Sequence, residues 1–144
     1  MQVKLAETDE EVSRCFPVMA QLRPDLGREE FIAQVNRQKQ SGYQLAFLED
    51  GGFIQAVAGF RILEMLSRGR FMYVDDLVTD AAARSRSYGG QLFDWLIDQA
   101  IAQGCQQIHL DSGVQRIGAH RFYFGKRMHI SGFHFALKLA EIRD

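Results

Sequence analysis

The chain has 144 residues, of which 47% are hydrophobic and 24% are charged, a composition typical of one folded domain with an apolar core. Seventeen Lys and Arg against eighteen Asp and Glu give a formal net charge of -1, which argues against a broad cationic surface for nucleic acid. No run approaches the ~20 consecutive apolar residues of a membrane span, and the N-terminal MQVKLAETDEEV lacks the apolar centre of a secretion signal. We therefore expect one cytoplasmic domain over residues 1–144 that binds neither nucleic acid nor a membrane.

The cysteines and histidines are not spaced as metal ligands. Cys15 and Cys105 lie far apart and form no C-x-x-C pair, and the four histidines show no H-E-x-x-H spacing. The sequence thus predicts no metal site and no disulfide framework, and both cysteines are expected to be buried.

The first half of the chain predicts one strand, two helices and three further strands. Residues 3–7 form the strand, and Thr8 with Glu11 has the spacing of a capping box, so a helix begins near Asp9. A second amphipathic helix begins near Arg28. YQLAFLED and FIQAVAGFRIL flank an acidic-Gly-Gly turn and predict a hairpin, and a second turn at 67–70 leads into RFMYVDDLVTD.

The second half predicts a long helix, a strand, a short helix and a closing strand. SYGGQLFDWLIDQAIAQG has apolar residues at helical spacing and ends on Gly104. QQIHLDSG is a strand, RIGAHRFYFGKR a short helix, and MHISGFHFALKL a closing strand or strand pair bent at Gly132. Trp95, Phe133 and Phe135 are expected in the core. The predicted fold is mixed α/β with the order β-α-α-β-β-β-α-β-α-β and a mostly antiparallel sheet.

The segment that joins RFMYVDDLVTD to the long helix has the features of a phosphate site. The N-terminus of a helix presents unpaired N–H groups and a partial positive charge, so it attracts anions. Arg84 and Arg86 add charge, and Gly89 and Gly90 let the backbone come close to a ligand. A solvated loop that caps the helix is the alternative. No Walker or Rossmann glycine string occurs.

The turn resembles a known family motif. Arg84-x-x-Ser87-x-Gly89 is similar to the [QR]-x-x-G-x-[GA] signature of the GNAT N-acetyltransferase superfamily, whose turn holds the coenzyme A pyrophosphate, with Ser87 in place of the first Gly. Residues 119–128, AHRFYFGKRM, resemble the family's A-x-x-F-Y-x-x-x-G-F segment, with Arg127 and Met128 replacing Gly-Phe. Arg116 stands where many members have Asn. The resemblance covers nearly the whole chain and implies a single GNAT-type domain with helices on both faces of the sheet.

The resemblance implies acetyl-coenzyme A as cosubstrate and no metal. It further implies that the backbone N–H of Val78, freed from the sheet, stabilises the oxyanion. The residues expected to bind the cofactor are Leu77, Val78, Arg84, Ser85, Arg86, Ser87, Tyr88, Gly89 and Gly90.

Three acidic residues and one tyrosine are candidates for proton transfer. An amine acceptor has a pKa near ~10.4 and must lose a proton before it attacks. Asp75 or Asp76, adjacent on a strand and expected on opposite faces, could take that proton, with Glu64 as a third option; the alternative is a carboxylate that pairs with a surface Arg. The resemblance places Tyr123 near the thioester sulfur, where it could protonate the thiolate, and the alternative is a packing role.

The expected function is acetyl transfer from acetyl-coenzyme A to a primary amine, either a small molecule or a protein lysine or N-terminus. One alternative is an acyl-coenzyme A binding or regulatory module of the same fold without turnover. Another is a nucleotide- or phosphate-binding protein that uses only the basic turn. The sequence does not identify the amine. Since family members often pair, a homodimer is an option.

Overall fold

A computed structural model describes residues 1–142 and divides the chain into two units, Met1–Leu110 and a second from Asp111 on. The first unit contains, in chain order, β1 (Gln2–Leu5), α1 (Asp9–Leu22), α2 (Arg28–Lys39), β2 (Gln44–Asp50), β3 (Phe53–Met65), β4 (Gly69–Thr79), a 3-10 helix (Ala81–Arg86), α3 (Tyr88–Ala102) and β5 (Gln107–Leu110). The second contains α4 (Ile117–Gly125) and a 3-10 helix (Leu139–Ile142).

The five strands form one mixed sheet in the order β1-β2-β3-β4-β5. The first three pairings are antiparallel, and β4 with β5 is parallel. Strand β4 runs to Thr79, but its pairing with β5 ends at Val74 opposite Leu110. The predicted mostly antiparallel sheet is confirmed, and the last residues of β4 extend beyond their parallel neighbour.

Helices cover both faces of this sheet. Val57 and Val78 lie in an apolar cluster with residues of α1 and α2. Phe60 has the opposite parity on β3, and its ring meets Trp95 of α3 edge-on at 6.0 Å between centroids. Helices α1 and α2 therefore pack on one face and α3 on the other.

The N-terminus of α1 is fixed by the predicted capping box. The Glu11 N–H donates to the Thr8 hydroxyl at 3.1 Å, and the Thr8 N–H donates to the Glu11 carboxylate at 3.2 Å. Such a cap contributes about 1 kcal/mol because it satisfies amides that have no intrahelical acceptor. Cys15 is buried on the inner face of α1 as expected, whereas Cys105 is only half-buried.

The C-terminus of α4 is a Schellman motif. The Met128 N–H donates to the Tyr123 carbonyl at 3.1 Å, and the Arg127 N–H donates to the Phe124 carbonyl at 3.0 Å. Arg127 itself has φ of 67°, a left-handed conformation. The predicted short helix is confirmed.

The predicted closing strand over 128–139 is wrong, because residues 128–138 have no regular secondary structure. Phe133 and Phe135, expected in the core, are 89% and 91% exposed. A strand needs a neighbour that accepts and donates its backbone hydrogen bonds. No strand lies within the described part of the second unit, residues 111–142, so these groups have no ladder there to join.

Candidate functional site

A β-bulge in β4 sets the position of both candidate aspartates. Gly59 of β3 pairs with Asp76, but the next residue, Phe60, pairs with Val74, so Asp75 is the extra residue on β4. An extra residue shifts the alternation of side chains by one position. Asp75 and Asp76 consequently point to the same face of the sheet, the one that carries α1 and α2, and the expected opposite orientation is wrong.

The two carboxylates meet around one buried tyrosine. The Tyr43 hydroxyl donates to Asp76 Oδ2 at 2.8 Å. The Arg61 guanidinium lies over the Tyr43 ring at 5.4 Å and donates to Asp75 at 2.7 and 3.1 Å. Arg23, which directly follows α1, donates from Nε and Nη2 to Asp76 Oδ1 at 3.0 and 2.9 Å. We call Arg23, Tyr43, Arg61, Asp75 and Asp76 the bulge cluster.

Each aspartate of the bulge cluster already has an arginine partner. The alternative to a proton-transfer role was that these carboxylates pair with arginines, and such ion pairs are observed at both positions. Burial raises the pKa of Asp75, and Arg61 opposes that rise. Burial, followed by the charge of Asp76, raises the pKa of Tyr43 well above its ordinary value. Tyr43 thus remains a neutral hydrogen-bond donor across the physiological range.

Gly59 makes room for the bulge cluster. A Cβ at this position would overlap the Tyr43 hydroxyl and lie 2.7 Å from Asp76 Oδ2. The absence of a side chain at Gly59 allows the Tyr43 hydroxyl to approach β3 closely at the bulge. This close approach could not be recognised from the sequence, because the glycine sits within an ordinary apolar strand pattern.

The bulge cluster borders a cavity of about 410 Å³. Its lining comes from α1, the α1–α2 connection, α2, Tyr43 just before β2, and Asp76 of β4. The apolar lining residues are Met19, Leu22, Pro24, Leu26, Phe31 and Val35, and the polar ones are Arg23, Asp25, Gln34, Gln38, Tyr43 and Asp76. Glu64, the third acidic candidate, is exposed farther along β3 in register with Arg70 and does not line this cavity.

The last residues of β4 offer backbone amides beyond the parallel pairing. The Asp80 N–H donates to the Gln55 carbonyl of the β3 side at 2.8 Å. Amides in an antiparallel pair alternate in direction, so the Val78 N–H also points toward β3, while those of Leu77 and Thr79 point away from it. The Val78 N–H, expected to be freed from the sheet, is therefore directed into it. The Val78 side chain is buried in the apolar cluster beside α1 and α2.

The basic turn is a 3-10 helix with its own cap. The Ala82 N–H donates to the Asp80 carboxylate at 3.1 Å, and the Ala81 N–H donates to Gln21 of α1 at 2.9 Å. The side chains of Arg84, Ser85 and Arg86 are exposed after this capped start. Sequence reasoning predicted the basic turn but missed the contribution of Gln21, which lies 60 positions away in the chain.

The N-terminus of α3 has no side-chain cap. Its N-cap residue, Ser87, has φ of 64° and ψ of 18°, a left-handed conformation, and makes no capping hydrogen bond. Amides of a first helical turn lack intrahelical acceptors, so this end can receive an anion. Together with two exposed arginines, it fits the pyrophosphate that the motif resemblance implies.

Tyr88 and Gly89 have packing roles in this turn. Tyr88 is buried, and its hydroxyl donates to Asp50 Oδ2 at 2.6 Å. This hydrogen bond lowers the pKa of Asp50 and raises that of Tyr88. A Cβ on Gly89 would lie 2.7 Å from Thr79 Oγ1, so Gly89 lets α3 begin close to the end of β4. Substitution of either residue would disturb the fold as well as a bound ligand.

Tyr123 belongs to the second unit. Its ring meets Phe122 edge-on at 5.5 Å, and its side chain is half-buried on α4. Burial raises the pKa of Tyr123, and the positive charge of Arg116 opposes this. The hydroxyl thus keeps its proton up to and beyond the ordinary tyrosine pKa of ~10.

Within residues 1–142, no group of three or more His, Cys, Asp and Glu side chains could hold a metal ion. None of the helices described there is long and apolar enough to cross a membrane.

Residues 5–128 match the acetyltransferase (GNAT) family, a match that includes β4, the basic turn, α3 and α4. The chain belongs to the GNAT acetyltransferase family. A GNAT relative, the uncharacterized N-acetyltransferase YhdJ of Bacillus subtilis (strain 168), is 34% identical over 128 residues, covering 88% of this chain and 89% of that protein. Acyl transfer is the general chemistry that this membership supports.

Solved structures share the same GNAT fold. Ribosomal-protein-alanine N-acetyltransferase from Brucella melitensis biovar Abortus 2308 has a TM-score of 0.82 at 13% identity, with 96% of this chain and 100% of that chain covered. Glucosamine-6-phosphate N-acetyltransferase from Arabidopsis thaliana has a TM-score of 0.74 at 20% identity, with 96% and 99% covered. At these low sequence identities, the similarity supports a shared fold only.

Proposed function

We propose that this GNAT protein transfers the acetyl group of acetyl-coenzyme A to a primary amine by direct attack. The observation that carries the proposal is the course of β4. Its bulge puts two aspartates on one face of the sheet, and one of them, Asp76, lines a cavity large enough for a small acceptor. Its end leads directly into the basic turn and the uncapped N-terminus of α3.

Residues of the turn would hold the cofactor by its phosphates. Arg84 and Arg86 supply charge-assisted hydrogen bonds, and the first-turn amides of α3 supply directed donors. The outward amides of Leu77 and Thr79 are suited to a carbonyl oxygen that gains negative charge during the reaction. Bound acetyl-coenzyme A supplies a thioester carbonyl as the electrophile.

The bulge cluster would receive the amine. At neutral pH only about one lysine-like amine in a thousand is uncharged, a cost of roughly 4 kcal/mol. A carboxylate offsets part of the cost of holding the cation, and the released proton passes to water or to that carboxylate. The amine nitrogen then bonds to the acetyl carbon and releases its second proton to water as the carbon–sulfur bond breaks. The thiolate takes up one proton, and the group that donates it is reprotonated from water.

Tyr123 is proposed to give its proton to the departing thiolate. Its raised pKa keeps the hydroxyl protonated at neutral pH. The departing thiol has a pKa near that of Cys, ~8.5, which is lower than that of tyrosine. Proton transfer from Tyr123 to the thiolate is therefore modestly unfavourable, and it assists departure as the carbon–sulfur bond breaks.

Calorimetric titration with acetyl-coenzyme A, combined with a thiol-release assay, tests the proposal against its alternatives. The wild-type protein is expected to bind acetyl-coenzyme A, with little competition from ATP. The double variant Arg84→Gln/Arg86→Gln is expected to bind it at least tenfold more weakly. Arg14→Gln, an exposed change on α1, is the matched charge control. Binding without thiol release over a broad amine panel would favour the regulatory module, and strong competition by ATP would favour a general phosphate-binding protein.

A further inference from the structure

Arg23 occupies the place in the cavity where an amine would pair with Asp76. It follows the last residue of α1, lines the cavity, and lies 2.9 Å from Asp76 Oδ1. Its Nη2 also donates to the Asp75 carbonyl at 3.1 Å. An acceptor ammonium that uses Asp76 must therefore displace the Arg23 guanidinium.

The other ion pair of the bulge cluster is built differently. Arg61 lies on β3, and its side chain is 22% exposed. Its guanidinium lies over the Tyr43 ring and donates two hydrogen bonds to Asp75. The Arg23 side chain is 48% exposed and both of its side-chain contacts use a single Asp76 oxygen, while the Asp76 side chain is 14% exposed. Arg61 fixes the bulge, whereas Arg23 faces the ligand space.

Displacement of Arg23 by a simple amine exchanges one ion pair for another. The ammonium gains Asp76, but the guanidinium, whose side chain is 48% exposed, gives up its carboxylate partner for water, so the exchange brings little net gain. An acceptor that also carries a carboxylate avoids this loss. Its ammonium pairs with Asp76 and its carboxylate pairs with Arg23, so one ion pair becomes two.

We propose that the acceptor of this site is an amino-acid-like zwitterion, with a carboxylate next to the reacting primary amine and an apolar body. This inference rests on the proposed amine acetylation. The apolar body would contact Met19, Leu22, Leu26 and Phe31. Asp25 and Asp76 both line the cavity against the single cation Arg23, so an acceptor with several negative charges is disfavoured.

Phenylalanine and phenylethylamine form a matched probe pair, because they share the ring and the primary amine and differ by one carboxylate. Binding of each is measured by ligand-observed NMR titration, without acetyl-coenzyme A, and kcat/KM is measured by thiol release. We expect the wild-type protein to bind phenylalanine at least tenfold more tightly. Arg23→Gln should abolish that preference by weakening phenylalanine binding, while phenylethylamine binds as well as before or better. Arg37→Gln, an exposed change on α2 away from the cavity lining, should leave both affinities unchanged.

Three results would overturn the inference: equal wild-type affinities for the two probes, tighter binding of phenylethylamine, or an equal loss of both affinities in Arg23→Gln, which would indicate a structural role. Because binding is measured without turnover, the result separates the two proposals. A carboxylate preference that depends on Arg23, without thiol release, would support the zwitterion site and count against acetyl transfer.

Discussion

Ser87 and Arg127 are the two non-glycine residues with positive φ in the part of the chain that the structure describes, at 64° and 67°. Both stand where the motifs of the GNAT family have glycine. Left-handed backbone costs a residue with a Cβ roughly 1–2 kcal/mol. Left-handed backbone at these two positions is a physical reason for glycine there, and this chain adopts it with Ser and Arg instead.

Replacing Ser87 by glycine should relieve this strain. We expect Ser87→Gly to raise the free energy of unfolding by about 0.5–1 kcal/mol, the strain relieved minus the chain entropy that glycine loses on folding. Chemical denaturation measures the change. Ser85→Gly is the control, because Ser85 has no positive φ. This variant should instead lose about 0.5–1 kcal/mol of unfolding free energy. A loss of stability in Ser87→Gly comparable to the control would contradict the strain.

Tyr123→Phe isolates the hydroxyl from the ring. The variant should keep its fold and its affinity for acetyl-coenzyme A, because the ring still packs against Phe122. We expect kcat to fall by about 10²- to 10⁴-fold when thiolate departure limits the rate, and by less when product release does.

The pH dependence of this variant gives a second reading. Because burial raises the pKa of Tyr123, the wild-type rate should fall only above pH ~10, where the hydroxyl loses the proton it must donate. That high-pH limb should be absent from Tyr123→Phe. An unchanged kcat with an unchanged limb would make Tyr123 a packing residue only.

At the scale of elements, local signals predicted local structure. Thr8 and Glu11 predicted the start of α1, the two glycines after Asp50 predicted the β2–β3 turn, and the apolar stripe of α3 predicted that helix. Each of these depends on residues within a few positions of one another.

Features that depend on pairing between distant strands could not be predicted in this way. The bulge exists because Gly59 and Phe60 pair with Asp76 and Val74, and no pattern within β4 alone reveals the extra residue. The prediction of a closing strand failed for a related reason. Alternating apolar residues such as Phe133 and Phe135 indicate a strand, but a strand also needs a neighbouring strand for its backbone hydrogen bonds. The cavity likewise arises from α1, α2, β4 and the two segments that precede and follow α2.

Gly59 tests the bulge as an element. Gly59→Ala places a Cβ against the Tyr43 hydroxyl and Asp76, so we expect a loss of about 1–3 kcal/mol in unfolding free energy and weaker binding of any amine acceptor. Gly118→Ala is the control, because no atom lies within 4 Å of a Cβ at that helical position and alanine should gain about 0.5–1 kcal/mol. Equal stability of Gly59→Ala and the wild-type protein would contradict the close packing at the bulge.

For the whole molecule, positive and negative side chains are nearly equal in number, with a formal net charge of -1. In the bulge cluster, both aspartates pair with arginines. The two motifs predicted the family, and the family match over residues 5–128 confirms that prediction. The acceptor chemistry could not be predicted from the motif. The proposed acceptor chemistry depends on Arg23 and Asp76, which lie 53 positions apart and meet only in the folded chain.

Acetyl transfer to an amine forms two products, a free thiol and an acetylated amine, and measuring both together tests the proposed function. Wild-type protein is incubated with acetyl-coenzyme A and an amine panel that includes amino acids, diamines and a lysine peptide, while free thiol and acetylated amine are measured together. We expect thiol release to require an amine, to continue for many turnovers, and to yield one acetylated amine for each thiol. Thiol release that ignores the amine, or the absence of any acetylated product over the whole panel, would contradict the proposed function.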